Sequence, residues 1–234
     1  MTEDRGPCDA EFARDGCKQG VVPEAECTRL IAAFRRARPR LFDVGDCLDG
    51  YVNGLSGEHK QAEKLNLGTV FLSIDAEQRA ALTPILSLIE RPVRACLGTP
   101  WQVVNTRCWK TRPDAVAVGP NEWHVDGFPD AFMKILLYLS PVGSTVGTTE
   151  VVTPAGQTLA VNGPPGSWLL FRNGRLLHRG VVPSAPSEER TVVELTISSA
   201  LGGQAAPIVA GLNAKYPRYP WLRPDPDTIV ELDA

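Results

Sequence analysis

The sequence predicts a mainly β protein with helices at its front. Three observations carry that reading. Apolar residues recur at helical spacing as far as residue 97, and from Trp101 the period becomes strand-like. The strand-like runs are short and evenly spaced, each bounded by Gly, Pro, Ser or Asn, which suits a sandwich or a barrel. The chain also carries 20 Pro and 21 Gly in 234 residues, which favours many turns and short elements over a helical bundle.

Residues 1–20 are polar and rich in Gly and Cys, and read as a loose lead-in with one short element at 11–15. A helix follows. Pro23 suits its first turn, and Glu24 and Glu26 suit the positive end of its dipole. Cys27, Leu30, Ile31 and Phe34 make one apolar stripe. Arg35, Arg36, Arg38 and Arg40 close it as a solvated cationic terminus, with an anionic-substrate patch as the alternative.

Residues 41–70 lack periodicity and hold five glycines, so they read as a long mobile segment of the kind that serves as a lid, with a short helix at 58–65. His59 lies there among exposed polar residues and is read as a surface side chain. Residues 75–97 are helical, with Leu82, Ile85, Leu86, Ile89 and Val93 on one face. Thr83-Pro84 looks like a cap followed by a first-turn proline, which would make two helices, and Pro92 is expected to kink or split the segment again.

The strands are WQVVNTRCWKT, FMKILLYLS, QTLAVNG, GSWLLFRN, LLHRGVV and ERTVVELTIS. The last stretch, with KYPRYPWLRPDPD, is too rich in proline for a central sheet and is expected to pack as an irregular tail through Tyr216, Tyr219 and Trp221.

Composition excludes several classes. A net charge of -3 gives no support to a nucleic-acid-binding role. No apolar run approaches a membrane span, and no secretory leader is read at the start. Six scattered Cys without a CxxC pair read as reduced thiols, which points to the cytoplasm and away from a structural zinc site.

Chemistry gathers at residues 123–127, Trp-His-Val-Asp-Gly. In extended backbone His124 and Asp126 point to the same side, so one short segment can offer two ligands to one metal ion. His178 lies 54 residues on in a strand-like run and could supply the third. Two His and one carboxylate on one face of an ion are the ligand set of non-haem Fe(II) oxygenases. Arg190 opens the last strand among apolar neighbours, and a buried Arg needs an anionic partner, which a dicarboxylate cosubstrate would supply.

On these residues the chain resembles the Fe(II)/2-oxoglutarate-dependent dioxygenases, most of all the phytanoyl-CoA dioxygenase-like branch. The matching pieces are WHVDG (123–127), PGSWLLFRNGRLLHRG (165–180), the run after Arg190, and FARDGCKQGVVPEAECTRL (12–30), which is similar to that branch's strand followed by a Glu-Cys-x-x-Leu helix. The resemblance implies a double-stranded β-helix, a cupin-like jelly roll, with N-terminal helices packed on it. A single domain is expected over 1–234: a helical part at 1–100, the jelly roll at 101–200 and the tail at 201–234.

It further implies that His124, Asp126 and His178 bind Fe(II) and that Arg190 pairs with the far carboxylate of 2-oxoglutarate, with O2 as the second cosubstrate. The expected reaction is hydroxylation of a C–H bond in a small molecule, with release of succinate and CO2. Related halogenases lack the carboxylate, so Asp126 favours hydroxylation over halogenation. Lys134 is either a second cation for the cosubstrate or a lysine snorkelling from the sheet. Asn105 and Trp109 share a strand face and could reach a carboxylate or line the pocket. Trp123, Phe128 and Tyr138 are candidate pocket walls or core aromatics. Thr149 and Glu150 mark a pocket edge or a turn. The alternatives are a cupin-like sensor domain that holds a metal without turnover, and another metalloenzyme, such as a zinc isomerase, against which Arg190 argues. Oligomeric state and substrate are not legible.

Overall fold

The structure is a computed structural model that describes residues 9–40, 69–98, 101–113, 115, 119–126, 128, 130–198, 221–224 and 229–232. The expected lid and short helix within 41–68, His59, and the tail residues Tyr216 and Tyr219 lie outside the described residues.

Helix α1 (Ala10–Asp15) is capped by the Asp9 side chain, which accepts from the Phe12 N–H, and it ends on Gly16 in the left-handed region. Strand β1 (Cys17–Val21) follows directly, so the lead-in is ordered where a loose segment was expected. Helix α2 (Glu24–Arg35) starts on Pro23 as its N-cap and buries Cys27, Leu30, Ala33 and Phe34. Strand β2 is Pro39–Arg40 and strand β3 is Thr69–Leu72, so the end of the presumed lid is part of a sheet.

Helix α3 (Ala76–Leu97) is one continuous helix through both prolines, not two. Its start is set by a capping box between Asp75 and Gln78. The prolines are tolerated because the carbonyls they leave unpaired, those of Ala80 and Leu88, belong to exposed residues that water can satisfy.

From residue 102 the chain is β: β4 (Gln102–Thr111), β5 (Phe132–Tyr138), β6 (Thr149–Val152), β7 (Thr158–Ala160), β8 (Ser167–Phe171), β9 (His178–Gly180) and β10 (Arg190–Ser198). A 3-10 turn at Gly119–Asn121 precedes the His124 segment. Strands β11 (Trp221–Pro224) and β12 (Ile229–Leu232) pair antiparallel where an irregular tail was expected.

Seven strands form one sheet in the order β1-β8-β5-β10-β4-β3-β2, and three form a second in the order β7-β6-β9. All described pairings are antiparallel. This two-sheet, mainly β architecture is a jelly roll with helices on the outside. Strand alternation divides the apolar side chains between the two faces of the large sheet. Met133, Ile135 and Leu137 of β5, with Val193, Leu195 and Ile197 of β10, pack against Leu30, Leu82, Ile85 and Leu86 of the helices. Leu136 and Tyr138 of β5, Val192 of β10 and Leu169 and Phe171 of β8 face inward with Val151 of the small sheet. Gly20 on edge strand β1 has a specific reason: a Cβ there would come within 2.4 Å of the Trp168 ring. The inner face between the two sheets is where the polar residues of interest sit.

Candidate metal centre

His124 and His178 meet in a single antiparallel bridge. The His124 N–H donates to the His178 carbonyl at 3.0 Å, and the His178 N–H returns to the His124 carbonyl at 2.9 Å. Two residues on, the Asp126 N–H donates to the Asn173 carbonyl at 2.9 Å, which holds the carboxylate on the same side as the imidazoles. One ligand atom from each of His124, Asp126 and His178 lies within 4.8 Å of the others.

Both rings are oriented by backbone. His124 Nδ1 is 2.8 Å from the Glu122 carbonyl oxygen, and His178 Nδ1 is 2.8 Å from that of Leu176. With Nδ1–H committed to a carbonyl, each ring presents the lone pair of Nε2 to the cluster, the arrangement that metal-binding histidines use. Burial pushes the His178 imidazole down to about 4, against the opposing pull of Asp126, so it is neutral near pH 7. Burial pushes the Asp126 carboxyl up, but Lys134 and the hydrogen bonds from Lys134 and Asn173 hold it well below the usual carboxylate range. A neutral imidazole and an ionised carboxylate are the forms that bind a divalent cation.

Arg190 is 3% exposed on the inner face. Its Nη1 donates to the carbonyls of Thr148 and Val181, and its Nη2 to Thr111 Oγ1. Among the described residues no carboxylate pairs with it, and its buried Nε has no acceptor. Tyr138 lies within its field: burial pushes the phenol up to about 12, and the guanidinium draws it the other way. The Tyr138 hydroxyl donates to Thr149 Oγ1 at 2.7 Å. Asn105 sits on the same inner face, two pairings from Lys134 through Thr196, and its buried Nδ2 also lacks an acceptor. A buried cation without an anion and a buried amide without an acceptor fit an anionic ligand that accepts from both.

Of the other predicted residues, Lys134 joins the cluster through Asp126. Lys134 Nζ lies 2.6 Å from Asp126 and 3.3 Å from Glu194. Trp109 is on the inner face beside Arg107, whose guanidinium is 5.7 Å from its ring. Phe128 stacks on Phe132 at 5.7 Å. Trp123 is not brought to the cluster: it stacks on Arg179 at 4.5 Å, and Arg179 pairs with Glu150 at 2.8 Å. Thr149 and Glu150 belong to strand β6, not to a turn.

Three residues at the cluster were missed. Asn173 supplies both a carbonyl and an amide to Asp126, Glu194 holds Lys134, and Arg107 holds Glu194. Glu194 had a signal: a lone carboxylate in a β-branched run, four residues after Arg190 and therefore on its face.

No family model matches the chain, and no curated protein matches it significantly in sequence. Solved structures do match in fold. The non-heme alpha ketoglutarate dependent epimerase SnoN from nogalamycin biosynthesis superposes with TM-score 0.57 at 17% identity, over 82% of this chain and 79% of that one. A Pseudomonas putida prolyl-4-hydroxylase gives 0.54 at 19%, over 81% and 96%. HygX from Streptomyces hygroscopicus, crystallised with nickel, 2-oxoglutarate and hygromycin B, gives 0.53 at 15%, over 81% and 85%. The chain shares its fold with these proteins. Nothing in these likenesses singles out the phytanoyl-CoA dioxygenase-like branch. Among the described residues no helix is long and apolar enough to cross a membrane.

Proposed function

We propose that the chain is an Fe(II)- and 2-oxoglutarate-dependent dioxygenase that hydroxylates a C–H bond of a small molecule. The observation that carries this reading is the conjunction of a His-Asp-His cluster with a buried Arg190 that has no carboxylate partner among the described residues and whose guanidinium lies against Gly180, two residues from His178. A metal site alone would fit many proteins. A metal site next to an unbalanced buried cation fits a cosubstrate that chelates at one end and carries a carboxylate at the other.

In this reading His124, Asp126 and His178 would hold Fe(II). Arg190, with its free Nε, would receive the distal carboxylate of 2-oxoglutarate near the Tyr138 hydroxyl, and Asn105 Nδ2 would donate to the same cosubstrate. The bound iron and cosubstrate supply the oxidative chemistry: 2-oxoglutarate and O2 become succinate and CO2, and one oxygen atom enters the substrate. The protein's share is orientation and dryness. Phe171, edge-on to His178 at 4.8 Å, and Leu136, Leu169 and Val192 keep water from the interior. The neighbours with this fold include an epimerase and a prolyl hydroxylase, so hydroxylation is the simplest outcome rather than one fixed by the fold. The resemblance to the phytanoyl-CoA dioxygenase-like branch and a cytoplasmic location, which buried free Cys17, Cys27, Cys96 and Cys108 suit, belong to the same proposal.

The test is an aerobic assay with Fe(II), ascorbate, 2-oxoglutarate and a panel of small molecules, reading succinate. Succinate that depends on iron and increases with one of the molecules supports the reading. Binding of metal and 2-oxoglutarate without succinate under any condition favours the sensor alternative.

A further inference from the structure

A chain of alternating charges runs across the inner face of the large sheet and ends on Asp126. Arg107 of β4 donates to Glu194 Oε1 of β10, through Nε at 2.9 Å and through Nη2. Glu194 Oε2 meets Lys134 Nζ of β5 at 3.3 Å, and the same Nζ lies 2.6 Å from Asp126 Oδ2. The register builds this row: Glu194 pairs directly with Arg107, and Lys134 pairs with Thr196, one same-face position along β10.

Lys134 and Glu194 are 6% and 3% exposed. Burying such charges costs free energy that an apolar pair of similar size would not. What they achieve locally is an asymmetry in Asp126. Its Oδ2 receives Lys134 Nζ and, at 2.9 Å, Asn173 Nδ2, and lies 3.6 Å from His178 Nε2, while Oδ1 takes neither donor and lies 3.8 Å from His124 Nε2.

We propose that Lys134 is a positioning residue that captures Oδ2 of Asp126 and leaves Oδ1 as the one ligand atom. The proposal rests on the reading of His124, Asp126 and His178 as a metal centre. Asp126 then takes one coordination position instead of two. In a six-coordinate ion, three protein atoms leave three positions for small ligands; a chelating carboxylate would close one of these. Glu194, itself held by Arg107, aims Lys134 at Oδ2 and balances it, so that the four side chains together carry no net charge. Asn173 is the second donor to the same atom.

The experiment loads the full chain with Mn(II) alone and measures water-proton relaxivity, which counts exchangeable waters on the ion. Lys134→Met, at matched Mn(II) occupancy, is expected to lower the inner-sphere contribution by about a third as Asp126 closes with both oxygens, three waters becoming two. Lys134→Arg, which keeps a donor for Oδ2, is expected to keep the wild-type value. Unchanged relaxivity in Lys134→Met overturns the proposal, and so does a drop of the same size in Lys134→Arg. If circular dichroism shows Lys134→Met unfolded, the pair Lys134→Met with Glu194→Gln gives the same readout without leaving a buried carboxylate short of a partner. Wild-type protein that binds no Mn(II), or binds it equally well after His178→Ala, overturns the metal centre itself, so the two failures are distinct.

Discussion

The rings of His124 and His178 sit with centroids 4.2 Å apart across one antiparallel bridge. Two mutual backbone hydrogen bonds fix that spacing, so the two imidazoles are brought together by strand pairing and not by a flexible loop. That spacing is what the proposed metal centre requires.

Loss of either imidazole should abolish metal binding. Removing an outer partner of a metal ligand costs roughly 10–100-fold in affinity, and removing the ligand itself should cost more. His178→Ala and His124→Ala are expected to weaken Co(II) binding by at least about 100-fold, measured by calorimetry.

Arg190→Met should act on the cosubstrate and not on the metal. Truncating one partner of a buried charge pair costs about 2–5 kcal/mol, or roughly 30-fold and upward in affinity. The 2-oxoglutarate dissociation constant should rise by that factor, while Co(II) affinity without 2-oxoglutarate stays within about threefold. Arg190→Lys should rescue only in part, since one ammonium cannot match the donor fork that Thr148, Val181 and Thr111 hold in place.

Gly174 lies against the backbone of the Asp126–Phe128 segment. A Cβ there would come within 2.2 Å of the Phe128 carbonyl oxygen, a backbone atom that cannot move without shifting the loop. Gly174→Ala is expected to weaken Co(II) binding by about tenfold or more, as loss of ligand support does. Gly156→Ala is the control. Its φ of 78° makes alanine strained but its Cβ would meet nothing, so it should cost about 1–2 kcal/mol in stability and leave Co(II) binding alone.

The metal-free protein should lose stability as pH falls from about 6.5 to about 4. Burial lowers the folded-state pKa of His178 to about 4, so across that window the unfolded chain takes up a proton that the folded one refuses. Stability contributed by the neutral ring is complete above the window and lost within it, on the order of 3 kcal/mol at about 1.4 kcal/mol per pKa unit. Asp126 shifts in the same direction at lower pH: its folded value also lies below the unfolded one, so its loss begins only near pH 4 and below. Chemical denaturation of apo wild type and His178→Gln across pH 4–7 checks this, the variant showing a flatter profile.

Much of the fold was legible because strand and helix periods differ. The runs that hold β4, β5, β8 and β10 could be read as short apolar or alternating stretches bounded by turn residues, and those four strands carry most of the inner face. Helix α3 was misread because the proline rule names the carbonyl each proline leaves unpaired but not its surroundings, and here both belong to exposed residues. Strand β6 was missed since four residues among Gly and Thr give no period to count. In the site, His124, Asp126 and His178 were visible as residue types at a spacing that extended backbone makes meaningful. The Lys134–Asp126–Glu194 contacts were not, because they depend on which strands are neighbours and in what register.

The most direct test of the site is an anaerobic titration of Fe(II)-loaded protein with 2-oxoglutarate, followed in the visible spectrum. The chelate at His124, Asp126 and His178 should produce a metal-to-ligand charge-transfer band that saturates at one equivalent in wild type and needs far more 2-oxoglutarate in Arg190→Met. Folded wild-type protein that binds Fe(II) and gives no band, or a band indifferent to Arg190, would contradict the account.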